Sequence, residues 1–294
     1  MTTQRKVKKR RINIKGLISN TFVHIFLGIL AFIWVLPIFF TILTSFREEG
    51  GAYKSYVFPK GYTLDNYLNL FDTAGSLNFT RWFGNTFMVA ILSCIISVFF
   101  VLSVSYVMSR LRFKMRKSLL NIALILGMFP GFMSMIAVYY IIKGMGLLET
   151  GQLKLFALVI VYSAGAGLGF YIAKGFFDTI SKSIDEAAYI DGATKWDVFT
   201  KITIPLSKPI IVYTMLQSFI GPWVDFIFAR VILGQDKAYY TIAVGLWTML
   251  EAEFIEYYYT RFFAGCVLIS IPIAILFLMV QKYYAEAVGG AVKG

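Results

Sequence analysis

Histidine and cysteine are almost absent from this chain, which limits the chemistry that it can perform. Among its 294 residues there are one histidine, His24, and two cysteines, Cys94 and Cys266. A His/Cys metal site needs three or four such ligands, and a histidine-based catalytic triad would have to use His24. We therefore predict no catalytic residue, no metal site and no cofactor in this chain. Both cysteines fall within apolar stretches, so no structural disulfide is expected.

The dipeptide Gly-Lys also never occurs in the sequence. The phosphate-binding loop of P-loop ATPases contains this dipeptide, because its lysine contacts the phosphates of the nucleotide. This chain therefore lacks the signature of an ATP site. If ATP drives its activity, a separate chain must bind the ATP.

Charged residues are scarce, at 15% of the chain, whereas 58% of its residues are hydrophobic. Soluble domains are typically about 25% charged and 45–50% apolar. A helix needs about 20 apolar residues to cross a bilayer, and the apolar runs here lack the alternation of barrel strands. We predict an all-α polytopic membrane protein with a basic tail, 1–20, and a transmembrane domain, 21–294. Its six predicted spans are about residues 21–43, 85–108, 119–142, 155–176, 209–233 and 262–284.

The excess of basic residues, which gives a net charge of +12, predicts the orientation in the membrane. Lysine and arginine are concentrated in residues 1–15, 109–118 and 177–208 and are sparser in the other connections. The positive-inside bias places these three segments and both termini in the cytoplasm. Contact with anionic membrane lipid would use the same charges. Nucleic-acid binding is not needed to explain them.

The connection 177–208 carries the signals of a structured element rather than of a short polar loop. Ser183 followed by Glu186 has the spacing of a capping box, which marks the beginning of a helix. Gly192 then suits the left-handed conformation that ends many helices. A first short helix is thus predicted to end at Gly192.

A second helix is predicted to begin at Thr194, because Thr194 and Asp197 form another capping pattern, and to end at Pro205. The product is a cytoplasmic helical hairpin between the fourth and fifth spans. Two interpretations remain open on these grounds. The hairpin is either a docking surface or an interfacial loop whose Trp196 and Phe199 enter the lipid headgroups.

The spacing within this hairpin resembles a known motif. Glu186-Ala187-Ala188 is followed after three residues by Gly192, after nine more by Ile202, and after one more by Ile204-Pro205. This pattern resembles the EAA motif of ATP-binding-cassette (ABC) importer permeases, with Ile204 in place of the usual leucine. The stretches EAAYIDGATKWDVF, TIAVGL (241–246) and GGAVKG (289–294) are similar to MalG-type permeases of maltose/maltodextrin and related carbohydrate importers.

The resemblance implies a multi-pass protein of a bacterial or archaeal cytoplasmic membrane. It also implies three partners: a second related permease, a homodimeric ABC ATPase that binds ATP and Mg²⁺, and an extracytoplasmic sugar-binding protein. The cargo would be a sugar or oligosaccharide. In this family the hairpin is the coupling helix that docks in a cleft of the ATPase.

The same resemblance implies roles for three groups of residues. The expected ATPase-docking residues are Glu186, Ala187, Ala188, Asp191, Gly192, Trp196, Phe199, Ile202 and Pro205. The tail residues expected at the ATPase interface are Gly289, Gly290, Lys293 and Gly294. The loop expected to reach the binding protein and its sugar includes Leu250, Glu251, Glu253, Phe254 and Glu256. Because LEAEFIE departs from the maltose-type loop in composition, the identity of the sugar is left open.

A candidate for the transport path follows from the residues themselves. Asp225 lies within the fifth predicted span, where a carboxylate costs about 3 kcal/mol unless it meets water or a partner. Gly221 and Pro222 precede it and disfavour a continuous helix. The candidate lining residues are Gln217, Trp223 and Asp225. Alternatively, Trp223 packs against a neighbouring helix, and Asp225 pairs with Arg230 or with the second permease.

The sequence thus predicts a permease subunit of an ABC importer, which is not itself an enzyme. The alternative is a stand-alone secondary sugar transporter. Six spans, no visible internal repeat and few ionisable residues inside the spans argue against that alternative. A membrane-bound enzyme is disfavoured because candidate catalytic groups are lacking.

Overall fold

A computed structural model describes the backbone of residues 14–72, 77–128, 131–164 and 167–291. Side chains within these ranges are described except those of 14–20, 132, 167–168 and 284–291. Regular structure in the described ranges is helical, apart from an isolated bridge between Arg47 and Tyr62. The predicted all-α class is confirmed. The α-helices are α1 Ile14–Ser45, α2 Asp65–Leu68, α3 Phe79–Arg110, α4 Arg116–Gly127, α5 Gly131–Gly144, α6 Gly151–Ala164, α7 Gly167–Thr179, α8 Lys182–Ile190, α9 Lys195–Asp197, α10 Ile204–Leu206, α11 Lys208–Val224, α12 Ile227–Leu233, α13 Ile242–Thr248 and α14 Ile255–Ala291.

Four described helical stretches are long and apolar enough to cross a membrane. They are Thr21–Ser45 in α1, Phe79–Arg110 in α3, Gly151–Thr179 in α6 and α7, and Ile255–Tyr283 in α14. The pair α11 and α12 makes a fifth if its two helices are counted as one span. Several apolar helices are therefore present, as expected of a multi-pass membrane protein. The number six stays a prediction.

The predicted span 119–142 is divided between α4, of 12 residues, and α5, of 14 residues. Each helix is shorter than the roughly 20 residues that a bilayer requires. Residues 129–130, which lie between the two helices, are outside the described residues. The interpretation of 119–142 as one span therefore stays a prediction.

The fifth predicted span contains the break that Gly221 and Pro222 suggested. Helix α11 ends at Val224, Asp225 has an extended backbone, and α12 begins at Ile227 with a 62° change of direction. The two helices together cover the predicted range 209–233. This span is therefore helical but sharply bent.

The last helix is longer than predicted. Helix α14 begins at Ile255, whereas the span was predicted from residue 262. At the other end of the chain, α1 begins at Ile14, inside the predicted tail 1–20, and residues 1–13 lie outside the described ranges. Helix α1 packs against α14, and its spanning stretch leaves its apolar side chains exposed. That surface is available to lipid or to another chain.

Helix α3 lies at the centre of the molecule and packs against α6, α7, α11 and α13. Its close approach to α6 and α7 uses small polar side chains. Ser97 Oγ donates to the Tyr162 carbonyl at 3.5 Å, and Ser105 Oγ donates to the Phe170 carbonyl at 3.0 Å. Small residues at a helix interface let backbones approach closely in a membrane. The serines of α3 therefore position the helices that lead into the 177–208 connection.

The larger buried cluster surrounds the first half of α3. It includes Trp82, Trp223 and Tyr240, each at most 1% exposed. A side chain at Gly245 would place its Cβ 2.1 Å from the Trp82 ring, so only glycine lets α13 pack this closely on α3. The second cluster, around Tyr106 and Phe177, supports the end of α3 that approaches the 177–208 connection.

Candidate functional site

The 177–208 connection forms two helical legs joined by a turn, here called the hairpin (residues 181–206). Its first leg, α8, begins two residues earlier than the sequence pattern indicated. Ser181 is extended and its hydroxyl accepts a hydrogen bond from the Ser183 N–H at 3.3 Å. Ser183 therefore lies inside the first turn, and the capping box predicted from Ser183 and Glu186 is wrong.

The turn between the legs follows the prediction for Gly192. Its φ of +86° lies in the left-handed region that favours glycine. The Gly192 N–H donates to the Tyr189 carbonyl at 3.1 Å, and the Ala193 N–H donates to the Ala188 carbonyl at 2.9 Å. These two bonds are those of a Schellman motif, which satisfies carbonyls that the helix end leaves free. The first leg is thus closed by a specific turn.

The second leg begins with the capping box predicted at Thr194. The Asp197 N–H donates to Thr194 Oγ1 at 3.2 Å, and the Thr194 N–H donates to Asp197 Oδ2 at 3.1 Å. Lys201 Nζ lies 2.6 Å from the Asp197 carboxylate. Hydrogen bonds from Lys201 and then Thr194 hold the pKa of the Asp197 carboxyl below its usual value. The cap is therefore ionised throughout the physiological pH range.

The rest of this leg is not a regular α-helix. Residues Val198–Thr203 form a π-helical turn, which passes directly into α10. The prediction that Pro205 ends the helix is wrong, because the helical backbone continues to Leu206. Pro205 lies in the first turn of α10, where its missing N–H is tolerated. Ser207 then separates α10 from α11.

The hairpin exposes apolar side chains away from the helices that support it. Ile190 is 86% exposed and Trp196 is 69% exposed. Ile190 was not among the predicted docking residues, although its place at the end of an amphipathic helix could have indicated it. Among the predicted residues, Glu186, Ala187, Asp191, Gly192, Trp196 and Pro205 are exposed, and Ala188, Phe199 and Ile202 are half-buried.

A buried ion pair fastens the hairpin to α3. Arg110 Nε lies 3.3 Å from Asp185 Oδ2, and the two side chains are 4% and 9% exposed. Removing one partner of a buried ion pair typically costs about 3–5 kcal/mol. Sequence reasoning missed both residues, since Arg110 was considered only as a charge that sets topology. Seventy-five positions separate them, and no local pattern indicates their contact.

The predicted outer loop is short and lines a cavity of about 340 Å³. After α13 ends at Thr248 the chain turns, and α14 already begins at Ile255. Glu256 therefore lies in a helix rather than in a loop. Side chains of both charge signs and several aromatic rings line the cavity, among them Trp82, Arg230, Lys237, Tyr240, Glu251 and Phe254. Glu251 Oε1 lies 3.7 Å from Arg230 Nη2.

The break between α11 and α12 is held by Asp225. The Tyr162 hydroxyl donates to Asp225 Oδ2 at 2.8 Å, and the Phe228 N–H donates to Asp225 Oδ1 at 3.1 Å. Arg230 instead contacts Tyr240 and Glu251, so the pairing of Asp225 with Arg230 considered from the sequence is wrong. The carboxylate obtains its partners from a neighbouring helix and from the start of α12.

Trp223 is 1% exposed and its ring lies 5.1 Å from that of Phe83 and 5.9 Å from that of Phe219. The alternative in which Trp223 packs against neighbouring helices is therefore the one observed, and its ring offers no exposed face. Gln217 is exposed on α11. In the predicted tail, Gly289 and Gly290 belong to the backbone of α14, whereas Lys293 and Gly294 lie outside the described residues.

Comparison with known proteins identifies the family. Residues 102–289, which include the hairpin and the bent span, match the family described as binding-protein-dependent transport system inner membrane component. The chain belongs to this family. It is a permease subunit of an ABC importer, as the resemblance of its EAA motif implied. Family membership also removes the stand-alone secondary transporter from consideration.

Two relatives from Bacillus subtilis (strain 168) align with nearly the whole permease. The galactooligosaccharides transport system permease protein GanQ is 33% identical over 285 residues, covering 96% of this chain and 99% of its own. The maltodextrin transport system permease protein MdxG is 32% identical over 272 residues, covering 92% and 95%. Both are transport permeases, which agrees with the prediction of a transport subunit rather than an enzyme.

A solved structure supports the fold of the permease. A chain of a bacterial ABC transporter involved in the import of the acidic polysaccharide alginate superposes with a TM-score of 0.72 and 22% sequence identity. The superposition covers 95% of this chain and 100% of that chain. The helical arrangement is therefore that of ABC importer permeases.

The contact between Tyr162 and Asp225 is predicted to stabilise the bent span. Tyr162→Phe removes one of the two hydrogen bonds that the Asp225 carboxylate accepts, at a cost of about 1–3 kcal/mol. The melting temperature of the purified permease in mild detergent should fall by several degrees. Tyr140→Phe, at a residue that is 65% exposed, serves as the control and should leave it unchanged. Equal melting temperatures for both variants would contradict this role of Tyr162.

Proposed function

We propose that this permease forms, with a second related permease, the transmembrane path for a sugar or oligosaccharide delivered by an extracytoplasmic binding protein. A homodimeric ABC ATPase, which carries ATP and Mg²⁺, would bind the two permeases, and the hairpin of this chain would dock in a cleft of that ATPase. The observation that carries this proposal is the capped hairpin with its exposed apolar side chains. A surface that only connects two spans needs neither a Schellman turn nor a capping box.

The hairpin suits docking because its shape is defined from within. The Gly192 turn and the Thr194 cap fix the angle between the two legs, and each cap contributes about 1 kcal/mol. Ala187 and Ala188 leave one face of α8 open to close approach by a partner. Exposed Ile190 and Trp196 supply apolar area, which is the main source of affinity at such contacts. Glu186, Asp191, Phe199, Ile202 and Pro205 complete the proposed docking set.

The proposed cargo class rests on the relatives and on the outer cavity. Galactooligosaccharides and maltodextrin appear in the names of GanQ and MdxG. Residues Leu250, Glu251, Glu253 and Phe254 lie at the outer loop, and Glu256 follows in α14. Aromatic rings beside charged and amide groups match the mixture of flat apolar faces and hydroxyls that a saccharide presents. A related alginate transporter was solved in complex with an oligosaccharide-bound periplasmic protein, which supports a binding protein as a partner here.

The proposed topology has six spans, with α4 and α5 together as the third and α11 with α12 as the fifth. Both termini and the hairpin would face the cytoplasm of a bacterium or archaeon, because the basic residues concentrate there. Gly289, Gly290, Lys293 and Gly294 would then lie on the side of the ATPase. Asp225 and Gln217 remain proposed neighbours of the transport path.

Cysteine labelling tests this orientation. Lys114→Cys and Lys195→Cys should be shielded from a membrane-impermeant thiol reagent in intact cells, whereas Ser55→Cys should react. All three positions are exposed on the described chain, so burial within the chain would not explain a difference. The parent protein, with Cys94 and Cys266 only, gives the background. Labelling of position 195 from outside would contradict both the orientation and the docking role.

Substitution of the turn glycine tests the docking role. A Cβ at Gly192 meets nothing within 4 Å, so Gly192→Val acts through backbone strain at positive φ, which costs about 1–2 kcal/mol. The membrane-inserted permease should then retain less ATPase on co-purification, or transport less sugar per ATP hydrolysed. Gly144→Val is the matched control, because its Cβ also meets nothing and its φ is not positive. Wild-type uptake and wild-type ATP hydrolysis in Gly192→Val would sink the docking proposal.

Replacement of the outer loop tests cargo delivery. Residues 250–254 are changed to a Gly/Ser linker of equal length, which removes the loop side chains Glu251, Glu253 and Phe254 from the cavity lining and leaves α14 intact. Uptake of labelled galacto- and malto-oligosaccharides at limiting concentration should fall, while the ATPase still co-purifies. A linker variant that imports every tested oligosaccharide at the wild-type rate would show that the loop only connects two helices.

A further inference from the structure

One arginine holds the beginning of the hairpin by two contacts. Arg110, the last residue of α3, places Nε 3.3 Å from Asp185 Oδ2, and its Nη2 donates to the Ile180 carbonyl at 2.9 Å. Ile180 precedes α8, and Asp185 lies in its first turns. A single guanidinium thus fixes both the approach to α8 and the helix itself. The planar fork of arginine makes this geometry more specific than a lysine would.

Burial distinguishes this pair from the other ion pair of the hairpin. The Arg110 and Asp185 side chains are 4% and 9% exposed, whereas Lys201, which pairs with Asp197, is 75% exposed. Apolar residues of similar size are often as stabilising as a buried ion pair, so stability alone does not account for the pair. Buried ionic contacts do define one arrangement of the elements that they join. Arg110 and Asp185 therefore specify how α8 sits on α3.

The second leg of the hairpin is attached to the same helix. The Tyr106 ring of α3 lies 4.7 Å from the Phe199 ring, and its hydroxyl donates to the Lys195 carbonyl at 3.4 Å. Ser109 Oγ donates to Asp178 Oδ1 at 2.5 Å, near the end of α7. The last turns of α3 thus contact both legs and the helix that leads into them. The hairpin and α3 are therefore joined by several side-chain contacts.

At its opposite end, α3 holds the segment that leads to the outer cavity. Trp82 Nε1 donates to the Lys237 carbonyl at 2.8 Å, and Asn85 Nδ2 donates to the Tyr240 carbonyl at 3.0 Å. Thr86 Oγ1 accepts from the Ile242 N–H at 2.7 Å, where α13 begins. These bonds are directional, as is the hydrogen bond from Arg110 Nη2 to the Ile180 carbonyl, whereas Arg110 and Asp185 form an ion pair without a hydrogen bond from Nε. The 32 residues of α3 span about 48 Å between the two sets of contacts.

We propose that Arg110 is a positioning residue that transmits movement between the hairpin and α3. When the ATPase displaces α8, the Arg110–Asp185 pair moves α3, and α3 moves segment 237–242 beside the outer cavity. The inference rests on the proposed docking of the ATPase at the hairpin. It adds a route by which that docking reaches the opposite end of the permease, through a residue outside the EAA motif.

The test uses the complete complex, reconstituted with its ATPase and binding protein in liposomes. Arg110→Gln removes the charge but keeps a polar side chain, and Asp185→Asn removes the opposite charge. Each variant should keep its ATPase on co-purification and yet import less sugar per ATP hydrolysed, by about fivefold or more. Arg110→Lys should recover part of the ratio of sugar imported to ATP hydrolysed, because it keeps the positive charge. The recovery should be incomplete, because lysine lacks the second arm of the guanidinium fork.

The double variant Arg110→Gln/Asp185→Asn separates coupling from folding, because it leaves no unpaired buried charge. Its ratio of sugar imported to ATP hydrolysed should stay as low as that of the single variants, since all three interrupt the same contact. The double variant also provides the test of coupling if a single variant fails to assemble with the ATPase. Arg112→Gln makes the same change at an exposed residue two positions away and outside the hairpin, so it is the control and should leave the ratio unchanged.

The outcomes distinguish this inference from the docking proposal. A wild-type ratio in assembled Arg110→Gln or in the double variant would overturn the role of Arg110, because the pair would then affect stability only. Recovery of the full ratio by the double variant would overturn it equally. Failure of the docking proposal gives a different result, namely that the wild-type permease retains no ATPase on co-purification.

Discussion

The structure depends on one constraint, that a chain surrounded by lipid must satisfy its own backbone hydrogen bonds. Helices meet this requirement within a single segment, which explains why the described chain is helical. Where a helix is interrupted, backbone N–H and C=O groups lose their hydrogen-bond partners, and a side chain has to replace those partners. Asp225 does so at the bend between α11 and α12, since it accepts the N–H of Phe228 and is itself held by Tyr162.

The same constraint gives α3 its central role. A long continuous helix has no free backbone groups along its length, so its specific contacts come from side chains. Serines let α6 and α7 approach, and Trp82, Asn85 and Thr86 hold segment 237–242 at the beginning of α3. At the other end, Arg110 holds the hairpin. The permease thus joins its two proposed interfaces, hairpin and outer loop, through one rigid element.

The hairpin combines features of two kinds. Its turns and caps are local, because each involves residues within six positions of one another. They give the hairpin a defined shape even though most of its surface is exposed. Its attachment to the membrane domain is not local, since Arg110 and Asp185 lie far apart in the sequence. A docking element needs both, because a defined shape transmits no movement unless it is fastened to the helices that must move.

What the sequence could predict follows the same division. Apolar runs and the EAA spacing indicated the helical class, the family and the place of the hairpin. Local chemistry predicted the Thr194 cap and the positive φ of Gly192. Local errors also occurred: Ser181 rather than Ser183 caps α8, since the helical backbone already begins at Lys182 and the Ser181 hydroxyl accepts from the Ser183 N–H.

The sequence by itself therefore determined that this protein lies in lipid and that its segments are helical. Both properties depend on the polarity and spacing of residues that are near one another in the chain. Only the tertiary structure decided which polar groups meet. Pairing of Asp225 with Arg230, five residues away, was one alternative that the sequence left open, but the side chain that contacts Asp225 is Tyr162 on another helix. The burial of Trp223 and the pairing of Arg110 with Asp185 likewise depend on how separate helices pack, which no local pattern encodes.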